Sequence, residues 1–252
     1  MAIVSVDLAS RRYADIGIAV LRDRGSEIKV ELITPSSLGL KGVPDARALA
    51  LKLCTLAKER DARLLLLDGP QGWSGGTAPS KQMRDCERVT HTPGKAGLPG
   101  CVIPKPFKKM VEFSISVFDA LHHRGWPRLE ARIWGGDQRS IESFPTHAWR
   151  MLALAGIRPL PAKQKVRDAV KPWVDALRDH CAVRWPPRLP SHDELQAVVA
   201  GLAGILMERY GTESCAVNGL PPYMEDGLWR EGFIVSPTSA ACQRRVFRPP
   251  DG

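Results

Sequence analysis

The chain has 252 residues, of which 44% are hydrophobic and 25% charged, and its formal net charge is +9. A chain of this length and apolar content can bury a sizeable core, and we expect one domain. It shows neither a basic leader followed by an apolar stretch nor an apolar run of membrane-spanning length, which argues against secretion and membrane insertion. The positive charge favours a polyanionic partner such as nucleic acid.

The cysteines are far apart in the sequence and form no Cys-x-x-Cys pair. No histidine stands near them at zinc-ligand spacing. We therefore expect six reduced thiols in a cytoplasmic protein. These residues are Cys54, Cys86, Cys101, Cys181, Cys215 and Cys242.

Three strands are predicted at the start of the chain. Residues 2–6 are apolar and β-branched, which is typical of a strand buried on both faces. Residues 13–21 predict a second strand, and the charged turn that ends at Gly25 predicts a hairpin. Residues 27–33 alternate apolar and charged side chains, the pattern of a half-exposed strand. The sequence therefore predicts an antiparallel three-stranded opening.

A helix, a buried strand and an insertion follow. Helical spacing predicts a helix over 44–60, with proline at its first position. Residues 64–67 are all leucine and lead into Asp68, which is typical of a parallel strand buried on both faces. Residues 71–131 are predicted to be an insertion at the rim of the sheet, with one helix near 81–89.

The second half of the chain is predicted to be mainly helical. Together, the two halves predict one α/β domain over residues 1–240. Its mixed five-stranded sheet would begin with three antiparallel strands, continue with parallel strands and be flanked by helices. Residues 241–252 are expected to be a flexible tail. The later predicted elements are helices over 107–122, 145–154, 163–181 (broken or kinked at Pro172) and 191–210, and strands over 140–144 and 231–235.

Acidic residues stand where several of these elements begin or end. If the first strand and the 64–67 strand are parallel neighbours, about 4.8 Å apart, Asp7 and Asp68 emerge at the same carboxyl edge. Two carboxylates so close need a counter-ion, and oxygen ligands suit Mg²⁺ or Mn²⁺. Glu142, from the next strand, and Asp193, at the start of the last helix, are candidates to complete a metal site.

Each acid also has an ordinary structural interpretation. Asp7 and Asp68 can be turn residues, and Glu142 can be a solvated strand residue. Asp193 lies inside the capping box Ser191-x-x-Glu194, where an acid in the first turn suits the helix dipole. The spacing alone leaves these interpretations open.

The order of these motifs resembles the family called domain of unknown function 429, whose members are predicted nucleases of ribonuclease H-like fold. The resemblance spans Ile3 to Pro237 and implies a ribonuclease H-like domain with a Mg²⁺ or Mn²⁺ site at the four acids. One departure is Gln196, where that pattern often has a second acid on the last helix. The motifs are Val6-Asp7, Leu67-Asp68-Gly69-Pro70, Arg84-Asp85-Cys86-Glu87-Arg88, Ile141-Glu142-Ser143-Phe144-Pro145, His192-Asp193 with Ala197, and Glu231-Gly232-Phe233-Ile234.

Basic residues and one histidine are further candidates for the site. Arg84 and Arg88, one helical turn apart, could hold a backbone phosphate, although a solvated charged face is an equal interpretation. His192 beside Asp193 could move a proton during catalysis. Sequence-independent phosphate contacts are predicted at Lys105, Lys108, Lys109, Lys163, Lys165 and Arg167, with ordinary surface lysines as the alternative.

Three functions compete on this basis. The first is metal-dependent hydrolysis of phosphodiester bonds in DNA or RNA, with Asp7, Asp68, Glu142 and Asp193 holding the ions. The second is a nucleic-acid or protein binding module that keeps the fold without turnover, as Gln196 indicates. The third is an actin-like kinase or ATPase, which a single short chain without glycine-rich phosphate loops disfavours.

Overall fold

The computed structural model of the chain describes residues 1–76, 82–154, 156–161, 167–240 and 242. Ten strands and six α-helices form in this part of the chain. The strands are β1 (Ala2–Asp7), β2 (Gly17–Asp23), β3 (Ile28–Ile33), β4 (Ala62–Asp68), β5 (Lys95–Ala96), β6 (Val102–Ile103), β7 (Arg139–Ser143), β8 (Val183–Arg184), β9 (Cys215–Glu225) and β10 (Leu228–Pro237). The α-helices are α1 (Ala46–Glu59), α2 (Asp85–Thr90), α3 (Lys108–His122), α4 (Pro145–Leu152), α5 (Lys171–Cys181) and α6 (His192–Tyr210).

One mixed sheet organises the fold, and its strand order is β8-β3-β2-β1-β4-β7-β10-β9. Strands β1, β4, β7 and β10 are parallel neighbours, whereas β1, β2 and β3 form the antiparallel meander. The predicted α/β class, with a mixed sheet flanked by helices, is confirmed. The two remaining strands, β5 and β6, pair with each other outside this sheet.

The sheet has eight strands rather than the five predicted. Strand β8 has only two residues, too few for a periodic pattern, and β10 is longer than the short strand predicted at 231–235. Strand β9 contains Pro221 and Pro222, which disfavour a central strand. Because β9 lies at the edge of the sheet, it tolerates residues that cannot donate to a ladder on both sides.

Several predicted boundaries were wrong. Residues Tyr13–Asp15 form a 3-10 helix, and β2 begins only at Gly17. Helix α1 begins at Ala46, because Asp45 is its N-cap and accepts a 2.8 Å hydrogen bond from the Ala48 amide. Helix α5 begins at Lys171, so Pro172 lies in the first turn, where proline needs no hydrogen-bond partner.

The two faces of the sheet carry separate apolar cores. Side chains alternate along a strand, so Ile3 and Leu66 pack with α4, α5 and α6, whereas Val4 and Leu67 pack with α1 and α3. Helix α3 therefore belongs to the core that it shares with α1 and the sheet, although it lies inside the stretch predicted as an insertion. Residues 241 and 243–252 of the expected tail lie outside the described residues.

Helix α6 lies very close to the sheet. A Cβ atom at Gly201 would be 2.9 Å from Leu21 Cδ1, and one at Gly204 would be 2.6 Å from Leu66 Cδ1. Neither position tolerates a larger side chain without movement. The two glycines therefore let α6 pack closely on the sheet, and this packing fixes where the first turn of α6 lies.

Two composition-based expectations bear on the fold. None of the six cysteines forms a disulfide in the part of the chain that the structure describes. Among the same residues, no helix combines the length and apolar character needed to cross a bilayer.

Candidate functional site

Asp7 and Asp68 stand side by side at one edge of the sheet. Strands β1 and β4 are parallel, and their register pairs Asp7 with Asp68. Both follow the alternation of Ile3 and Leu66, so their side chains leave the sheet on the face that carries α6. The two carboxyl groups are close enough for a proton held by one of them to bond to the other.

The start of α6 brings a third acid to this pair. Asp7 is also paired with Gly17 on β2, and a Cβ atom at Gly17 would lie 2.1 Å from the carbonyl oxygen of Asp193. The missing side chain therefore lets the backbone of α6 rest directly on β2. As a result, ligand atoms of Asp7, His192 and Asp193 all lie within 4.8 Å of one another.

Asp193 is not the residue that caps α6. The Ser191 hydroxyl accepts a 3.2 Å hydrogen bond from the Glu194 amide, and the Glu194 carboxylate accepts a 2.8 Å bond from the Ser191 amide. Arg188 holds the Glu194 carboxylate through two further bonds of 2.6 and 2.7 Å. The predicted capping box is confirmed, and it leaves the carboxylate of Asp193 facing Asp7.

His192 orients Asp193. Its Nδ1 lies 2.9 Å from Asp193 Oδ1, and its Nε2 lies 3.0 Å from the carbonyl oxygen of Pro161. Both ring nitrogens therefore face an oxygen acceptor, which fixes the ring and, through it, one carboxylate oxygen. His192 is therefore better placed to orient Asp193 as a metal ligand than to bind a metal ion itself.

The pKa values of the acidic pair are raised. Burial raises the pKa of Asp7 well above its usual range, and the charges of Asp68 and Asp193 raise it further. Burial also raises the pKa of Asp68 to about 7, with a smaller contribution from the charge of Glu142. A bound cation would neutralise the repulsion between these carboxylates. The residues present therefore fit a divalent cation with oxygen ligands.

Glu142 lies on the other face of the sheet. It is paired with Leu67, one position before Asp68, so its side chain points toward α2 and α3. There Arg84 donates two 2.7 Å hydrogen bonds to the two carboxylate oxygens, and the Gln71 amide donates a third at 3.0 Å. Burial raises the pKa of Glu142, and Arg84 opposes the shift.

Arg84 is a structural ion-pair partner in this geometry. Its side chain is 1% exposed, and it also donates to Glu87, whose carboxylate in turn accepts from the Ala96 amide. A phosphate cannot reach a guanidinium buried in this way, so the predicted phosphate contact at Arg84 is not compatible with the structure. Arg88 is half-exposed and pairs with Asp85 at 2.6 Å. The predicted contact at Lys163 lies outside the described residues.

Breaking this ion pair is expected to destabilise the protein strongly. Glu142→Gln leaves the buried Arg84 with Glu87 as its charged partner and removes the charge-assisted bonds to Glu142, which costs about 1.5–3 kcal/mol of unfolding free energy. Denaturant unfolding followed by circular dichroism measures the change. Arg88→Gln removes a surface pair on the same helix and should change stability by less than about 1 kcal/mol. Equal effects of the two substitutions would contradict this account.

Gln196 occupies the place where the resemblance led us to expect a second acid. Its Oε1 accepts a 2.9 Å hydrogen bond from the Trp149 indole, and the side chain is buried. It lies one turn after Asp193 on α6. Position 196 therefore places a neutral amide, bonded to Trp149 of α4, one turn after Asp193, and it adds no charge to the acidic cluster.

Sequence reasoning missed Gly17, Glu87 and Ser143. Gly17 had a signal, because a glycine inside an apolar strand often marks the close approach of another backbone. Glu87 and Ser143 lie within the motifs that carry the resemblance, but nothing in their spacing indicates the contacts they make. Ser143 is paired with Asp68 across β7 and β4, and it is buried.

The fold and the acids define an α/β protein with a carboxylate cluster at the carboxyl edge of parallel strands. No model of a known protein family matches the chain, and no curated protein matches it in sequence. Among solved structures, the chain is similar to T. thermophilus RuvC in complex with Holliday junction substrate. The alignment covers 84% of this chain and 97% of that chain, with 12% identity and a TM-score of 0.41. Likeness at this level does not by itself assign a function.

Proposed function

We propose that this chain is a divalent-metal-dependent nuclease of ribonuclease H-like fold, related to the domain of unknown function 429 family. The observation that carries the proposal is the convergence of Asp7, Asp68 and Asp193 on one face of the sheet edge. The antiparallel meander followed by a helix and parallel strands supports the fold assignment. The net charge of +9 supports a polyanionic substrate.

Asp7, Asp68 and Asp193 are the residues that would hold Mg²⁺ or Mn²⁺. Such a cation supplies charge neutralisation and Lewis-acid polarisation of a phosphoryl oxygen. His192 keeps Asp193 turned toward Asp7 and is the group placed to move a proton at its ring nitrogens. Glu142 stays with Arg84, and its role is to fix β7 and the segment around α2 beside the site.

Basic side chains lie at the same edge of the sheet. Arg12 and Lys41 line a cavity together with Ser191, at the start of α6. Lys105, Lys108 and Lys109 are exposed at the start of α3. Contacts from such residues position a phosphate backbone without reading bases. We propose that the nucleic acid follows these residues across the acidic cluster.

The test is cleavage of labelled DNA and RNA, single-stranded, duplex and branched, by the purified protein with Mn²⁺. Asp7→Asn is expected to lower the cleavage rate by at least about 100-fold, since even changes behind a metal ligand cost 10- to 100-fold. Asp179→Asn, a change at an exposed acid on α5, is the matched control and should leave the rate unchanged. No cleavage of any substrate, or full activity of Asp7→Asn, would overturn the proposal.

Gln196 favours a second candidate, a nucleic-acid binding module without turnover. The neutral amide lowers the number of carboxylates available for a second ion, and its bond to Trp149 holds it in place. Binding that is unaffected by EDTA and by Asp68→Asn, in the absence of cleavage, would support this candidate. Binding that requires Mn²⁺ supports the nuclease.

A further inference from the structure

A second cavity opens directly beside Asp68. Its volume is about 260 Å³, several times the roughly 30 Å³ that one water molecule occupies in the liquid. Asp68, Gly69 and Pro70 form one wall, so the cavity adjoins the end of β4 that carries the acidic pair. Its lining is mainly apolar and includes Leu8, Pro93, Phe107, Met110, Val111 and Phe144.

The polar groups of this cavity are of two kinds. Arg84, Glu87 and Glu142 also line it, but their charged groups bind one another. Ser143 is different, because its side chain is 1% exposed and its hydroxyl has no hydrogen-bond partner among the described residues. Ser143 is the register partner of Asp68, so its side chain leaves β7 on the face opposite to Glu142 and does not reach into the cavity. The surface that the cavity offers a ligand is therefore mainly apolar.

We propose that this cavity receives one unstacked nucleobase of the nucleic acid whose backbone lies at Asp7 and Asp68, an inference that rests on the proposed function. A flat heterocycle fits an apolar cavity with the aromatic walls of Phe107 and Phe144. Phe107 is the partly exposed aromatic ring at which a base would stack. The phosphates stay outside, beside the exposed side chains of Lys105, Lys108 and Lys109.

A nucleotide taken up in this way must leave its stack. The proposal therefore specifies a substrate class: single-stranded nucleic acid, or a duplex in which one base next to the scissile phosphate is unpaired or easily extruded. Fully paired, rigid duplexes are the poorest substrates, because extrusion costs a few kcal/mol of stacking and pairing.

The experiment moves a single abasic site along a fluorescent single-stranded oligonucleotide and measures Kd in EDTA, where cleavage does not intervene. At one position, loss of the base should weaken binding about 5- to 150-fold, the range that corresponds to the measured worth of base–aromatic stacking. Phe107→Ala should cause a similar loss with the intact oligonucleotide and no further loss with that abasic one. This non-additivity is the signature of one shared contact.

Two more variants separate binding from folding. Leu98→Ala changes an exposed apolar residue that does not line the cavity, and it should leave Kd unchanged. Ser143→Ala removes a buried hydroxyl that does not face the cavity, so both the fold and Kd should stay unchanged. Thermal unfolding of each variant shows whether it is folded.

The outcomes distinguish this inference from the proposed function. Cleavage with Mn²⁺ together with equal binding of every abasic oligonucleotide overturns the base pocket and leaves the nuclease proposal intact. A position-specific abasic effect without cleavage supports the pocket and overturns the nuclease proposal in favour of the binding module. Failure to bind nucleic acid of any form overturns both.

Discussion

Replacing Asp68 by asparagine is expected to stabilise the metal-free protein at pH 8 and, at the same time, to remove its cleavage activity. Burial raises the pKa of Asp68 to about 7, from a usual value near 4. The folded protein therefore binds a proton more tightly at this position than the unfolded chain does. Asparagine keeps the shape of the side chain and carries no charge at any pH.

The pH dependence follows from the direction of this shift. Between pH 4 and pH 7, Asp68 keeps its proton in the folded protein and has lost it in the unfolded chain. The free energy of unfolding of the natural protein therefore falls as the pH rises through this window. Each pKa unit corresponds to about 1.4 kcal/mol, so we expect Asp68→Asn to raise the free energy of unfolding at pH 8 by an amount on the order of 2–4 kcal/mol. Below pH 4 the substitution should have little effect.

Thermal unfolding in EDTA at pH 4 and pH 8 measures this difference. A gain of that size corresponds to a rise in Tm on the order of 10 °C for a chain of this length. Asp179→Asn, at an exposed acid, should show no such pH-dependent gain. If Asp68→Asn is destabilising at both pH values, Asp68 is not held beside other acids in the way described.

With Mn²⁺ bound, the natural protein should become more stable than Asp68→Asn. A ligand that binds only the folded state adds RT ln(1 + [L]/Kd), so Mn²⁺ is expected to raise the Tm of the natural protein. Asp68→Asn has lost a ligand oxygen and should show a much smaller rise. Because the carboxylates must be deprotonated to bind, the Mn²⁺ effect should be larger at pH 8 than at pH 5.

The geometry of Asp7 and Asp68 was predictable because it depends on local patterns. Each acid ends a short apolar strand, and parallel strands place their carboxyl ends at one edge. The register that pairs the two acids agrees with this expectation. Asp193 was predictable only as the start of a helix, since a capping box fixes the helix boundary but not the strand on which that boundary rests.

Glu142 shows why the remaining site residues were not predictable. Its position on a strand beside Asp68 was expected, but the face of the sheet depends on the exact register between β7 and β4, and a shift of one residue reverses it. Its pairing with Arg84 joins residues far apart in sequence, and no local pattern encodes such a contact. Likewise, the prolines of β9 conceal an edge strand whose pairing is set by β10.

The arrangement of the site depends on Gly17, and this leads to the second large expected effect. Gly17→Ala places a methyl group where the backbone of Asp193 now lies, at 2.1 Å from its carbonyl oxygen. The contact is with backbone, so no side-chain rotation relieves it, and the first turn of α6 must move away from β2. We expect a loss of about 3 kcal/mol of unfolding free energy, at the upper end for overpacking.

The same movement separates Asp193 from Asp7, so Gly17→Ala should also lower the cleavage rate by about 100-fold, the cost of displacing a reacting group by about 1 Å. Gly135→Ala is the matched control, because a Cβ there meets no atom within 4 Å. Denaturant unfolding, Mn²⁺ titration and cleavage rate of the two variants test the account together. A Gly17→Ala protein with natural Mn²⁺ affinity and rate would show that ion binding does not require the contact between α6 and β2. The cluster of three acids would then have to be replaced by Asp7 and Asp68 alone.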